Sequence, residues 1–453
     1  MTDNSNLGEE SQKPIRSVRL WFIALILLGL LVRVILWLTY APISYGDTGS
    51  YLRLGEAVLG IEGRGFDGTR VPGYPVFIAL LGLDPANIWL GQMGLGVIIS
   101  GLLFWLGWRT TGRPSVGFLL GALYSLIPGQ LLFEANLLSE TLSTLLVVMS
   151  LALYLALNQD RSLPTRLVMA AGLGTATSLV GMVRPLFFPL TLIFLPFLWF
   201  GVHLEKKYKL AMIATYALFP LFIQGGWLLY MRNHWHVFSP TTMAGYSMVQ
   251  HTGEYIEYLP DEYAAIRDTY IQYRDAQIAE RGVQTNAIWK AIPAITEASG
   301  LGFYELAREL NRLSWMLIRD HPQLYLQNVV SGWVNFWKSP VYWEPEVIQP
   351  QLIRSAFQLL TWVGQGISVL ANFGFLLFSF GILLSRKLRS SIRMNVILWL
   401  SLVMLWLMSI VQTLLDHGDN PRFLVPMQMV VIFVVVVVTP KVKEHLNVLR
   451  KSR

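Results

Sequence analysis

Residues 20–50 read LWFIALILLGLLVRVILWLTYAPISYGDTGS. The first part, up to Tyr40, is apolar apart from Arg33 and Thr39 and is long enough to cross a bilayer as a helix, which takes about 17–25 residues. It exceeds the apolar core of a signal peptide and lacks a small-residue cleavage site, so it is expected to remain as a first span. Directly after it the chain presents Asp47, a glycine-spaced turn and a predicted short helix over 48–59. A greasy segment that surfaces into an acid, and then into Arg70 ahead of two prolines, sets the question for the rest of the chain.

Similar apolar stretches recur throughout the 453 residues, of which 54% are hydrophobic and only 14% charged. Soluble domains carry roughly 25% charged residues, so this is read as an all-α polytopic membrane protein. About ten transmembrane helices are expected, over 20–40, 87–108, 115–132, 137–157, 167–183, 186–202, 210–230, 356–384, 394–415 and 423–439. Cysteine is absent, which removes disulfides and thiolate metal sites. The net charge of +7 sits on alternate connections: Lys13, Arg16 and Arg19; Arg109 and Arg113; Arg161 and Arg166; Lys206, Lys207 and Lys209; Arg386, Lys387, Arg389 and Arg393; and Lys441 to Arg453. That alternation places both termini in the cytoplasm and makes the excess charge a topology signal, so no nucleic-acid partner is expected.

The opposite, exoplasmic side receives 41–86 and 231–355. The second contains ARELNRLSWMLIRDHPQLYLQNVVSGWVNFW (307–337), with helical apolar spacing and Pro322 placed to open a new helix. The reading is a small, mostly helical exoplasmic domain, with Trp333, Trp337, Tyr342 and Trp343 suited to the membrane interface. Three regions result: an N-terminal transmembrane module 1–230 containing the first exoplasmic loop 41–86, a helical exoplasmic domain 231–355, and C-terminal transmembrane helices with a tail, 356–453.

A charge near the bilayer centre costs about 2.5–3.5 kcal/mol on insertion scales. Arg33 lies seven residues before Tyr40, about 10 Å along a helix. Glu134, Glu140, Arg184, Arg232 and Arg422 fall at exoplasmic helix ends under the same topology. Each has a plain explanation: snorkelling for Arg33, interfacial anchoring for Arg184, Arg232 and Arg422, and N-capping of the 48–59 helix for Asp47. Glu140 could make a polar contact shared with Asn136 and Ser143, and His234, His236 and His251 could be ordinary loop histidines. Together they describe a cavity beside the outer leaflet with a carboxylate and several guanidinium groups.

Guanidinium groups hold phosphate bidentately, and a carboxylate beside them can take a proton from an attacking hydroxyl. A phosphate-bearing substrate handled at the outer leaflet fits a polyprenyl-phosphate sugar. Asp47 would deprotonate an acceptor hydroxyl, and the arginines would stabilise the departing polyprenyl phosphate. The scheme needs no cofactor and leaves a divalent metal open. No Walker A loop, HExxH, GxSxG or EF-hand pattern occurs. The glycines of GEAVLG (55–60) and GLGTATSLVG (172–181) suit helix packing.

GDTGSYLRLGEAVLG (46–60) followed by TRVPGYPVFIALLG (69–82) resembles the first exoplasmic loop of the GT-C glycosyltransferases, most closely the bacterial branch with the protein O-mannosyltransferases and the lipid A aminoarabinose transferases. FEANLLSETL (133–142), VGMVRPLFFP (180–189), YMRNHWHVFSP (230–240) and HGDNPRFLVPMQ (417–428) resemble later landmarks of that family, in order. The resemblance implies Asp47 as the catalytic acid, Glu140 as a second one, and donor-phosphate contacts at Arg70, Arg184, Arg232 and Arg422, to which Arg33 is added. Asp67, Glu134, Tyr74, Asn233 and His234 are further candidates. Some relatives carry an acid where Thr69 stands, which leaves open whether Asp67, Glu62 or Glu140 acts as the second carboxylate.

The implied activity is an inverting transfer of a sugar from a polyprenyl-phosphate donor, undecaprenyl-linked in a bacterial inner membrane, to a lipid, glycan or protein hydroxyl. The alternatives are a lipid-linked-sugar flippase, which would want polar groups at the midplane, and a non-catalytic polysaccharide-assembly subunit.

Overall fold

The structure, a computed structural model, describes residues 7–392, 394–416 and 421–451. Arg393 of the expected basic loop and His417–Asn420 of the late arginine motif lie outside the described residues, as do the side chains of Lys13 and Arg16. In chain order come α1 (Leu7–Thr39), the short α2 (Thr48–Val58) and α3 (Gly73–Leu80) of the first loop, α4 (Pro85–Thr111), α5 (Pro114–Leu126), α6 (Pro128–Leu131), α7 (Glu140–Leu157), α8 (Leu163–Val183) and α9 (Leu190–Gly201). Next, α10 (Lys206–Pro220) runs through a π-turn into α11 (Gly226–Trp235). Five helices follow: α12 (Ala244–Thr252), α13 (Ala264–Arg281), α14 (Ala287–Ser299), α15 (Phe303–Asp320) and α16 (Pro322–Phe336). The chain closes with α17 (Gln351–Leu384), α18 (Arg386–Ile392), α19 (Val396–Leu415) and α20 (Val425–Lys451). Among the described residues there is no strand, only an isolated parallel bridge between Ile43 and Asn136.

Eight helical stretches among the described residues are long and apolar enough to cross a membrane, nine if the bent pair α5–α6 is one span. The sixth expected span, 186–202, falls on the shorter stretch Pro185–Gly201. Where a straight helix over 115–132 was expected, the axis turns by 67°. Pro128 is the cause: the residue before a proline is driven out of the helical region, and Ile127 is extended at ψ 112°. Proline also opens α4, α5, α8 and α16, where its missing N–H costs nothing. Asp84 Oδ1 caps α4 by accepting from the Asn87 amide at 2.9 Å.

The spans turn apolar side chains such as Leu30, Leu38, Leu192, Phe200, Leu370 and Leu384 outward, as suits a lipid surround, and meet one another through small residues. A Cβ at Gly117 would press on the Phe104 carbonyl, and one at Gly121 would come within 2.7 Å of the Ser100 carbonyl oxygen. This Gly-x-x-x-Gly step is what lets α5 lie directly on α4 and α1. Gly174 makes the same close approach to the Tyr216 carbonyl and Gly55 backs onto Leu83, so these two of the expected glycines serve packing. Gly60 instead takes a left-handed turn at φ 71° with open space beside it.

Inside this bundle Arg33 of α1 meets Glu134, just after α6, in a two-pronged ion pair. Nε donates to Oε2 at 2.8 Å and Nη2 to Oε1 at 2.5 Å, while Nη1 donates to the Gly29 carbonyl and Ser125 Oγ. Both residues are buried. Gly96 of α4 backs onto the pair, and a Cβ there would run into the Glu134 carboxylate and the Arg33 guanidinium. Gly96→Ala is therefore expected to lower unfolding stability by about 1–3 kcal/mol through overpacking, measurable as a drop in the thermal midpoint of the purified protein.

Helices α12–α16 enclose a core of their own, built on Tyr246, Ile266, Tyr270, Ile288, Leu306, Leu310 and Leu313. Helix α16 leaves this core to run beside α19. Tyr325 Oη donates to the Leu414 carbonyl, and Trp333 donates to Ser409 Oγ and stacks on Trp406 at 5.5 Å. Phe336 and Trp337 are buried in the main transmembrane core. Trp337, expected at the interface, is thus an interior residue, stacked on Phe375. The chain then returns toward the end of α1, where the Glu344 amide donates to Tyr40 Oη at 2.7 Å.

Candidate functional site

The stretch after α1 and the stretch before α7 are laced together. The Ile43 amide donates to the Ala135 carbonyl at 2.9 Å and the Leu137 amide to the Ile43 carbonyl at 3.0 Å. Thr48 Oγ1 adds a bond to the Leu137 carbonyl and accepts from the Tyr45 amide. Gln92 of α4, fully buried, donates to the carbonyls of Glu134 and Asn136 at 2.8 Å each. This lacing brings Asp47, at the entry to α2, close to Glu140, the first residue of α7.

Three guanidinium groups converge on these two acids. Arg70 Nη2 donates to Asp47 Oδ1 at 2.6 Å, and its Nε to Ser50 Oγ at 3.3 Å. Arg422, in the turn Pro421–Leu424, donates through Nη2 to Asp47 Oδ2 and sets its Nε 3.3 Å from Glu140 Oε1. Arg184, at the end of α8, donates to Glu140 Oε1 at 2.6 Å. Glu140 Oε2 is buried with no hydrogen-bond partner among the described residues. Asp47 does not act as a cap: it stands at the N-cap position in helical geometry, with no side-chain cap bond. Glu140 likewise pairs with arginines rather than with Asn136 or Ser143, which bond to the Tyr342 and Ser139 carbonyls.

Burial alone would push the Asp47 carboxyl up, but the charges of Arg422 and Arg70 outweigh it and hold the group well below the usual carboxylate range. A carboxyl whose value is lower folded than unfolded contributes stability above its unfolded value, near 3.9, and loses it as pH falls through the folded one. The difference in thermal midpoint between the wild type and Asp47→Asn is therefore expected to stay level from about pH 8 to about pH 5 and to shrink below about pH 4.

Five of the candidates are thus gathered: Asp47, Arg70, Glu140, Arg184 and Arg422. Others stand elsewhere. Arg33 and Glu134 are engaged with one another inside the bundle, so neither reaches this cluster with a free group. Arg232, Asn233 and His234 are exposed at the end of α11, with His234 stacked on Tyr230 at 4.1 Å. The expected convergence of Arg232 fails because α11 ends with that face turned outward. The three histidines form no cluster, since His236 is exposed and His251 lies buried beside Tyr325 in the α12–α16 unit. Asp67 Oδ1 accepts from the amide and hydroxyl of Thr69 at 2.9 and 2.6 Å, a local turn, while its carbonyl accepts from Tyr304 Oη. Tyr74 is buried, donates to Gln92 Oε1 at 3.1 Å and supports the ring of Tyr51, 4.8 Å away.

Sequence reasoning passed over several neighbours. Arg70 lies over the Tyr51 ring at 5.6 Å and Arg184 over the Phe423 ring at 5.0 Å, so two of the guanidinium planes are held by aromatic faces. Phe423 follows Arg422 directly, which was the available signal. Tyr342, read from the sequence only as an interfacial aromatic, sits within electrostatic reach of Arg422, Glu140, Asp47 and Arg184. Among the described residues no group of three or more His, Cys, Asp or Glu side chains is arranged to hold a metal ion.

No protein-family model matches the sequence, and no curated protein matches it. Among solved structures, the oligosaccharyltransferase AglB from the archaeon Archaeoglobus fulgidus, in complex with an inhibitory peptide and a dolichol-phosphate, superposes with a TM-score of 0.51 at 14% identity. The match covers 95% of this chain and 51% of that one, so the chain spans about half the length of the enzyme it resembles. The apo form of an oligosaccharyltransferase from the same organism gives a TM-score of 0.48 at 13% identity, over 96% of this chain and 51% of that one. ArnT from Cupriavidus metallidurans in the apo state gives 0.37 at 12% identity, over 92% of this chain and 78% of that one. The bundle that brings Asp47, Arg70, Glu140, Arg184 and Arg422 together is accordingly a GT-C-type membrane fold.

Proposed function

We propose that the chain is a membrane glycosyltransferase that moves a sugar from a polyprenyl-phosphate donor to an acceptor hydroxyl, with inversion at the anomeric carbon and Asp47 as the base. The observation that carries this reading is the meeting of Arg70, Arg184 and Arg422, drawn from three distant segments, around Asp47 and Glu140. A cluster of guanidinium groups with a carboxylate in its midst suits a phosphate leaving group beside a proton acceptor. The dolichol-phosphate in the archaeal enzyme of like fold is a ligand of the same class.

In the reaction the acceptor oxygen attacks the anomeric carbon and its proton passes to Asp47. The bond from that carbon to the phosphate oxygen breaks, and the electron pair leaves with the phosphate, where Arg70, Arg184 and Arg422 hold the added charge. We assign the donor to the undecaprenyl class, the site to the exoplasmic face of a bacterial inner membrane, and both termini to the cytoplasm, on the alternation of basic loops. We also retain the division into regions 1–230, 231–355 and 356–453.

The test is a mass comparison of glycolipids, glycans and glycoproteins from cells with and without the chain, followed by transfer in proteoliposomes from the sugar so identified. Loss of one sugar from one class of acceptor, restored by the purified chain with release of polyprenyl phosphate, is the expected result. Translocation of a lipid-linked sugar without acceptor, and no transfer, would replace this reading with the flippase.

A further inference from the structure

The base of the proposed reaction is held in a state that cannot do its work. Both oxygens of Asp47 are occupied by guanidinium donors, Oδ1 by Arg70 at 2.6 Å and Oδ2 by Arg422. A carboxylate so bound is a weak proton acceptor and presents its lone pairs to arginine rather than to a hydroxyl. The same two guanidinium groups are those a donor phosphate would need. One set of donors thus faces two anions, only one of which belongs to the resting protein.

We infer that the donor phosphate and Asp47 exchange Arg70 and Arg422, so that binding the polyprenyl phosphate is what frees Asp47 to act as the base. This rests on the proposed transferase reading and adds an order to it: donor first, then the acceptor's proton. The surroundings favour exchange over simple addition. Arg422 bridges Asp47 and Glu140, so when its Nη2 moves to a phosphate the Glu140 contact keeps the side chain anchored. Arg70 is held by Ser50 Oγ and the Tyr51 ring, and Arg184 by Glu140 and the Phe423 ring; neither depends on Asp47 for its place. The other charged or titratable groups facing Asp47 are Glu140 of α7, Arg184 of α8, Tyr51 of α2 and Tyr342 of the loop before α17. Arg184 is the one cation among these, and it is held by Glu140 at 2.6 Å and by the Phe423 ring, so once Arg70 and Arg422 turn to the phosphate the freed carboxylate regains basicity. The acceptor proton then has a destination at Asp47, while the phosphate retains both guanidinium groups as charge builds on it.

Exchange makes a prediction opposite to that for a passive base: taking the acid away should help the anion bind. The full chain in nanodiscs is titrated with undecaprenyl phosphate, with undecaprenol as the uncharged control. Asp47→Asn is expected to bind the phosphate roughly tenfold or more tightly than the wild type, the scale of one charge-assisted hydrogen bond, with no gain for undecaprenol. A second measurement needs no comparison of affinities. Below about pH 5 the wild type is expected to take up more protons on binding undecaprenyl phosphate than Asp47→Asn does, as read by calorimetry in buffers of different ionisation enthalpy. The difference between the two forms removes the titration of the lipid phosphate itself. Equal or weaker phosphate binding by Asp47→Asn together with equal proton uptake would overturn the exchange while leaving the donor reading standing. Failure of both forms to bind undecaprenyl phosphate would overturn the donor reading and the exchange with it. If Asp47→Asn does not fold, Asp47→Ser takes its place in both measurements, with tighter phosphate binding and smaller proton uptake than the wild type supporting the exchange and equality in both overturning it.

Discussion

Replacing Asp47 by Asn is expected to lower the rate of sugar transfer by about 100- to 10,000-fold, the range attributed to a positioned general base, while the lipid donor still binds. Asn keeps the shape of the side chain and removes only its capacity to accept the proton. The lacing of Ile43 to Ala135 and Leu137 does not involve the carboxylate, so α2 and α7 should hold their relation in the variant. The measurement is single-turnover transfer in proteoliposomes, with donor binding followed separately. Tyr74→Phe is a suitable companion, because the Tyr74 hydroxyl bonds to Gln92 inside the bundle and should leave the chemical step nearly untouched. Unchanged turnover in purified Asp47→Asn would remove Asp47 as the base.

The largest stability effect should come from a pair outside this cluster. Arg33 and Glu134 are joined by two charge-assisted hydrogen bonds and are almost completely shielded. Removing one partner leaves a buried charge without its counterion, so Arg33→Met or Glu134→Leu alone should each cost about 3–5 kcal/mol. The double replacement removes both charges and should recover much of that loss. Thermal midpoints of the four proteins in one detergent close the cycle. If each single variant is as mild as the double, the pair contributes nothing specific, and Arg33 would again be available for the role at the membrane surface that its position suggested.

That pair also marks where the sequence stops being readable. The membrane class, the order of the apolar helices and the helix start at Pro322 could be read directly, because length, apolar runs and proline positions act locally. Glu140, Arg184 and Arg422 could be named because each stands at a helix end beside an apolar run, where a charge is conspicuous, and Asp47 because it follows the first span directly. Arg70, in the loop between α2 and α3, could be named only from the resemblance of the stretch around it. How the helices rotate about their axes was not legible. Arg33 finds a partner 101 residues away, and that choice depends on how α1, α4 and the bent α5–α6 unit pack. Arg232 has the same kind of local sequence as Arg184, yet α11 turns it outward while the end of α8 turns Arg184 in. The 67° bend at Pro128 was legible in principle from the proline itself, and the inward descent of α16 was hidden because its tryptophans suit an interface and an interior equally well.

The arrangement stands or falls on where the lipid phosphate sits. A structure of the full chain with undecaprenyl phosphate bound measures this directly. The phosphate is expected within hydrogen-bonding distance of Arg70, Arg184 and Arg422, with the Asp47 carboxylate turned free beside it. A phosphate lodged elsewhere in the bundle, with Asp47 still clasped by Arg70 and Arg422, would contradict it.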